Sequence, residues 1–159
     1  MLAERWYNLL TDALDSPPSA HLMARSFTLL DRCYSRADRS YHNWHHIADC
    51  LAWKDVCQAT LVPARRDRHL LELALFYHDA VYEPGRADNE EASARLASSE
   101  LSRLGFSPEY NQAVAALVRA TAHEAPAEHA DTTASTDSTV STPASRPVIA
   151  ALSRAIAAL

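Results

Sequence analysis

The amino-acid sequence predicts an all-α domain, and three observations carry that expectation. Hydrophobic residues make up 48% of the 159 residues, yet there are only 2 glycines. Ala and Leu, strong helix formers, are abundant, while the turn chemistry that sheets need is scarce. Apolar residues also recur at helical spacing in one segment after another. The length suits one domain with a real core and is short for two.

The elements follow in order. Residues 2–15, "LAERWYNLLTDALD", carry apolar positions at helical spacing and stop at Ser16-Pro17-Pro18, a strong breaker. A second helix is expected over residues 19–35, followed by the polar turn "RADRS". A third should begin near Tyr41, run to about Thr60 and end before Pro63. Residues 67–82, "DRHLLELALFYHDAVY", are apolar almost all round and should form the central, most buried element. "EPGRA" breaks it. Asp88 then starts a fifth helix that Gly105 can stop. Asp88 is placed to cap that helix, with Glu91 completing a capping box. Ser107 and Pro108 start a sixth, whose buried stripe should be Val114, Leu117, Val118 and Thr121.

After His123 the composition changes. Residues 1–125 are expected to form the helical domain. Residues 126–147 form a Ser/Thr/Ala/Pro-rich tract without periodicity, expected to be flexible. Residues 148–159, "VIAALSRAIAAL", are expected to be a last short helix of the same domain.

Charge and composition narrow the function classes. The formal charge of -5 lacks a basic footprint, so nucleic acid is not an expected partner. No apolar run approaches the ~18 residues of a membrane span. The first ten residues, with Glu4 among them, lack a signal-peptide layout. Cys33, Cys50 and Cys57 are odd in number, as expected for reduced thiols in a cytoplasm.

Two polar intrusions into apolar helices are the candidates for chemistry. The first is "SYHNWHHIADCL", residues 40–51, with three histidines. On a helix, His42 and His46 share a face about 6 Å apart along the axis. Asp49, Cys50, Trp53, Val56 and Cys57 continue that face, polar at its start and apolar further on, while His45 falls off it. Lys54 is expected at the surface. The second intrusion is the doublet His78-Asp79 in the most apolar helix. Burying both unpaired costs several kcal/mol. A divalent cation resolves that cost by supplying charge to both.

These segments resemble a known family. "RSYHNWHHI", "FYHDAVYEP", "DNEEASA" and "TAHE" fall in the order seen in the HD superfamily of metal-dependent phosphohydrolases, and most resemble its small bacterial members. The likeness runs from about Trp6 to His123. The "YHNxxHxxD" segment also resembles cyclic-nucleotide phosphodiesterases. The resemblance implies an HD-domain-like helical bundle. It implies His46, His78 and Asp79 as metal ligands and His42 as a general acid or phosphate contact. The divalent cation would be Mn, Mg, Fe, Co or Ni, which acidifies a bound water and screens phosphate charge. Glu90 is a candidate to steer that water. Arg39, Arg86 and His123 are candidate contacts to a small phosphate substrate, nucleotide-like in kind. The family also supplies a late aspartate; Asp137 aligns with it, and Asp131 is the alternative. Both lie in a tract with poor means of holding a helix, so modest metal affinity and slow turnover are expected. Two other functions suit the same residues: a catalytically degenerate metal-binding protein and an HD-type di-iron oxygenase.

Overall fold

The computed structural model describes residues 1–61 and 64–122, with side chains up to residue 56 and again from residue 64. The described residues form helices and turns, with no strand among them. The helices are α1 (Leu2–Ala13), α2 (Ala20–Tyr34), α3 (Trp44–Leu61), α4 (Arg65–Tyr77), α5 (Asn89–Arg103) and α6 (Pro108–Arg119). No helix among the described residues is long and apolar enough to cross a membrane. His123, Asp131, Asp137 and the two C-terminal segments lie outside the described residues.

The expected start and stop signals act locally. Ser19 and Ser107 each accept a backbone N–H three residues on, from Leu22 and Tyr110, at 3.3 Å. At the end of α5, Gly105 takes φ 95. The Phe106 N–H then donates to the Leu101 carbonyl at 3.0 Å, and the Gly105 N–H donates to Ser102 at 3.2 Å. Phe106 and Leu101 are both buried, which completes a Schellman-type stop.

Helix α4 is the central element. Every side chain from Leu70 to Tyr77 is buried, and the helix packs against α1, α3, α5 and α6. Trp6 meets it edge-on, with its ring centroid 5.0 Å from that of Phe76 and 5.9 Å from that of Tyr77. The Trp6 indole N–H also donates to Ser26 on α2 at 2.9 Å, which joins three helices at one point. Val114, Leu117 and Val118 on α6 and Thr121 just past its end are buried, as the periodicity predicts. Burial of each large apolar side chain stabilises the domain by about 1.5–3 kcal/mol.

Several boundaries and faces differ from expectation, each for a tertiary reason. Helix α3 starts at Trp44 rather than Tyr41 because Asn43 caps it. The Asn43 carboxamide oxygen accepts the His45 N–H at 2.9 Å, and its carbonyl accepts the Ile47 N–H at 3.2 Å. Helix α4 ends at Tyr77, so Asp79 lies in the following turn. There, side chains replace helical bonding. The Tyr34 hydroxyl donates to the Phe76 carbonyl at 2.9 Å, and Ser93 pairs with both the N–H and the carbonyl of Val81.

The inward face of α3 is formed by His46, Ile47, Cys50, Leu51 and Lys54, whereas Trp53 and Val56 are exposed. Lys54, expected at the surface, is buried against Glu72 of α4. The expected capping box at Asp88 does not form. Asp88 pairs with Arg86, and Glu91 pairs with Arg119 across to α6.

Candidate metal centre

Two chain segments meet at the C-terminal end of α4. One carries His42 in the turn before α3 and His46 on its first turn. The other carries His78 at the end of α4 and Asp79 just beyond. Arg39 joins them. Its guanidinium donates to the carbonyl of His42 at 3.0 Å, of Asp79 at 2.6 Å and of Ala80 at 3.0 Å. The same group lies 5.4 Å from the Tyr34 ring centroid and 5.9 Å from that of Tyr82. Arg39, expected as a phosphate contact, is buried and committed to backbone carbonyls, so it positions the site.

The donor atoms converge. His46 Nε2 lies 3.2 Å from His78 Nε2, and the Asp79 carboxylate oxygen Oδ2 lies 3.4 Å from the first and 3.2 Å from the second. His78 Nδ1 sits 2.9 Å from the Leu75 carbonyl. A carbonyl only accepts, so Nδ1 carries a proton, and release of any Nε2 proton on metal binding would leave the neutral ring with a bare Nε2 facing the cluster. That is the tautomer a metal ligand needs. These donors can hold a metal ion: His42, His46 and Asp79 form one such group, and His46, Cys50 and His78 another.

The electrostatics of the cluster favour an added positive charge. Burial opposes a charged His78, but its hydrogen bond to Asp79, the Asp79 charge, the Leu75 carbonyl and the Glu90 charge outweigh it and raise the pKa. Burial and the neighbouring His78 lower that of His46. Burial pushes the Asp79 carboxyl up, yet hydrogen bonds from His42 and His78 hold it well below the usual carboxylate range. An ionised carboxylate facing three imidazoles is suited to a cation.

His42 stands differently from the rest. Its Nδ1 is 2.7 Å from Asp79 Oδ2, and its ring packs at 4.0 Å, centroid to centroid, against Tyr82. The side chain is 27% exposed, against 7% for His46 and 3% for His78. It can therefore meet a solute while the other two cannot. His45 is exposed, as its angle on the helix predicts.

The remaining candidates are more peripheral. Glu90 is half-buried at the start of α5 and reaches the cluster through its charge on His78. Arg86 is exposed in the preceding loop and held by Asp88 at 3.1 Å and Glu83 at 3.4 Å. Asn89 fixes that loop by accepting from the Glu83 N–H and donating to the Glu83 carbonyl, both at 3.0 Å.

Cys50 was placed on the histidine face by its spacing but was not among the expected ligands. It lies one turn after His46, with its sulfur 3.6 Å from His46 Nε2. Burial, with the charges of Asp79 and Asp49, pushes its thiol up to about 12. Its interval of four from His46 was the available signal. A separate cavity of about 840 Å³, lined by Arg5, Asp12, Lys54, His69 and Glu72 among others, includes none of these residues. No family model, curated protein or solved structure matches the chain.

Proposed function

We propose that the protein is a metal-dependent phosphohydrolase acting on a phosphate ester or anhydride of a small, nucleotide-like metabolite. The observation that carries this reading is the convergence of His46 Nε2, His78 Nε2 and Asp79 Oδ2 within 3.4 Å, with partly exposed His42 2.7 Å from Asp79. The helical arrangement is compatible with an HD-like bundle, in which the same residue types hold a divalent ion.

His46, His78 and Asp79 would hold the cation. When bound, it supplies an acidified water and screens the charge of the phosphate oxygens. Asp79 keeps its carboxylate ionised for this purpose. The Leu75 carbonyl fixes the His78 tautomer, and Arg39 fixes the spacing between the two segments. His42 is oriented by Asp79 and Tyr82 and is partly open to solvent, so it can give a proton to the leaving oxygen. Glu90 acts at longer range, through its charge. The formal charge of -5 lacks the basic footprint of a nucleic-acid binder.

The test is hydrolysis of a broad panel of phosphate esters and anhydrides by metal-free protein supplied with Mn, Mg, Fe, Co or Ni. Metal-stimulated turnover is expected. Bound metal without turnover on any member would leave a metal-binding protein in place of an enzyme.

A further inference from the structure

In a chain whose 20 acidic residues outnumber its 15 Lys and Arg, an unpaired arginine is the exception. Among the described residues, Arg25 and Arg32 are the only arginines without an ion pair, a hydrogen bond or a ring contact. Both lie on α2, and both line the same cavity. That cavity, of about 350 Å³, lies between α2 and α5 and is lined by Arg25, Thr28, Leu29, Arg32, Glu100 and Arg103. The spacing of the four α2 residues places them on one helix face.

Across the cavity, α5 contributes a pair already formed. Arg103 donates to Glu100 Oε1 at 3.0 Å, and the Glu100 side chain is only 10% exposed. Its Oε2 has no hydrogen-bond partner among the described residues. The lining thus carries three guanidiniums against one carboxylate, in a protein of formal charge -5. A carboxylate ligand brings one charge and two oxygens, which leaves part of that excess unmet. A phosphate monoester brings close to two charges at neutral pH and three terminal oxygens, and the guanidinium fork matches its geometry. The volume lies in the range of small-molecule sites, which leaves room for an organic body beside the phosphate.

We propose that this cavity is a binding site for a small phosphate monoester, with Arg25, Arg32 and Arg103 on the phosphate and Glu100 Oε2 accepting from a hydroxyl of the organic body. None of its lining residues belongs to the candidate metal centre, so the site does not rest on the reaction proposed there. Binding is non-covalent. The phosphate supplies the counter-charge that Arg25 and Arg32 lack within the chain, and Arg103 can bond the phosphate while keeping Glu100.

The experiment is calorimetric titration of the full chain with glycerol 3-phosphate at low ionic strength, with a chelator present so that the metal centre takes no phosphate through a cation. One saturable site is expected, with weaker binding of inorganic phosphate and of succinate. Arg25→Ala and Arg32→Ala, both at exposed positions, should each weaken binding about 10-fold or more, the scale of one charged hydrogen bond. Arg36→Ala removes an equal charge from an exposed site already paired with Asp38 and should leave the affinity unchanged. Absence of saturable binding, affinity untouched by Arg25→Ala and Arg32→Ala, or an equal loss in Arg36→Ala would each overturn the proposal. Succinate or inorganic phosphate binding as tightly as glycerol 3-phosphate would overturn the assignment to a phosphate monoester. None of these outcomes bears on the metal centre, whose own test is metal-stimulated turnover.

Discussion

The Nδ1 atom of His42 lies 2.7 Å from the Oδ2 atom of Asp79, although the two residues are 37 positions apart in sequence. The carboxylate therefore faces three imidazoles, and the one most open to solvent is oriented by the group that would bind the metal. Two kinds of histidine follow from this geometry. His46 and His78 are enclosed, and His42 stands at the mouth.

The ligand assignment predicts a selective loss of metal. His46→Ala and Asp79→Ala should strip the divalent ion, and His45→Ala, at an exposed position, should not. Elemental analysis of the purified variants decides it. Equal retention in all three would remove His46 and Asp79 from the centre.

His42→Ala should keep the metal and lose turnover, on the order of 10²–10⁴-fold, the scale of one general acid or base. Metal content and rate are measured on the same preparation. A loss of metal in proportion to rate would make His42 a ligand.

Arg39→Ala should destabilise the fold and also loosen the centre. It leaves the carbonyls of His42, Asp79 and Ala80 without their donor in a buried setting. The expected cost is on the order of 3 kcal/mol in urea unfolding. Arg39→Lys should recover only part, because an ammonium lacks the planar fork that reaches separate carbonyls. Full stability in Arg39→Ala would show that the carbonyls find other partners.

Glu72→Ala tests the buried charges between α3 and α4. Glu72 holds Lys54 and also accepts from Arg5 at 2.6 Å. Removing it leaves a buried ammonium with only Asp55 at 3.5 Å, and breaking such a pair costs about 3–5 kcal/mol. A further Lys54→Met change should return much of the loss. Chemical denaturation of the single and double variants measures both steps.

Gly105→Ala should cost about 1–2 kcal/mol, because φ 95 is a left-handed conformation that a Cβ disfavours. Nothing lies within 4 Å of the added methyl, so the penalty is conformational alone. A shift in the denaturation midpoint at unchanged slope is the expected signature.

Much of the architecture was legible because its determinants are local. Ser107 with Pro108 starts α6 and Gly105 stops α5, each through backbone chemistry confined to a few residues, whereas α1 already ends at Ala13, ahead of Ser16-Pro17-Pro18. The all-round apolar character of residues 70–77 likewise marks α4 as central. The adjacency of His78 and Asp79, and the offset of His42 from His46, were visible as chemistry in apolar surroundings.

What the sequence determined by itself was the helical class, the helix ends with strong caps and which segments carry the candidate donors. The tertiary structure decided where those donors point. Asp79 turns towards His42, His46 and His78 because α4 yields at Tyr77 to bonds from Tyr34, Arg39 and Ser93, all distant in sequence. Arg39 and Lys54 are charged residues that pattern alone assigns to solvent. Their burial depends on carbonyls in the turn after α4 and a carboxylate on α4 itself. Cys50 meets His46 on its own helix, but only the packing of α4 brings His78 within reach of both. Periodicity specifies a face; the partner that covers it is set by long-range packing, which no local interval encodes.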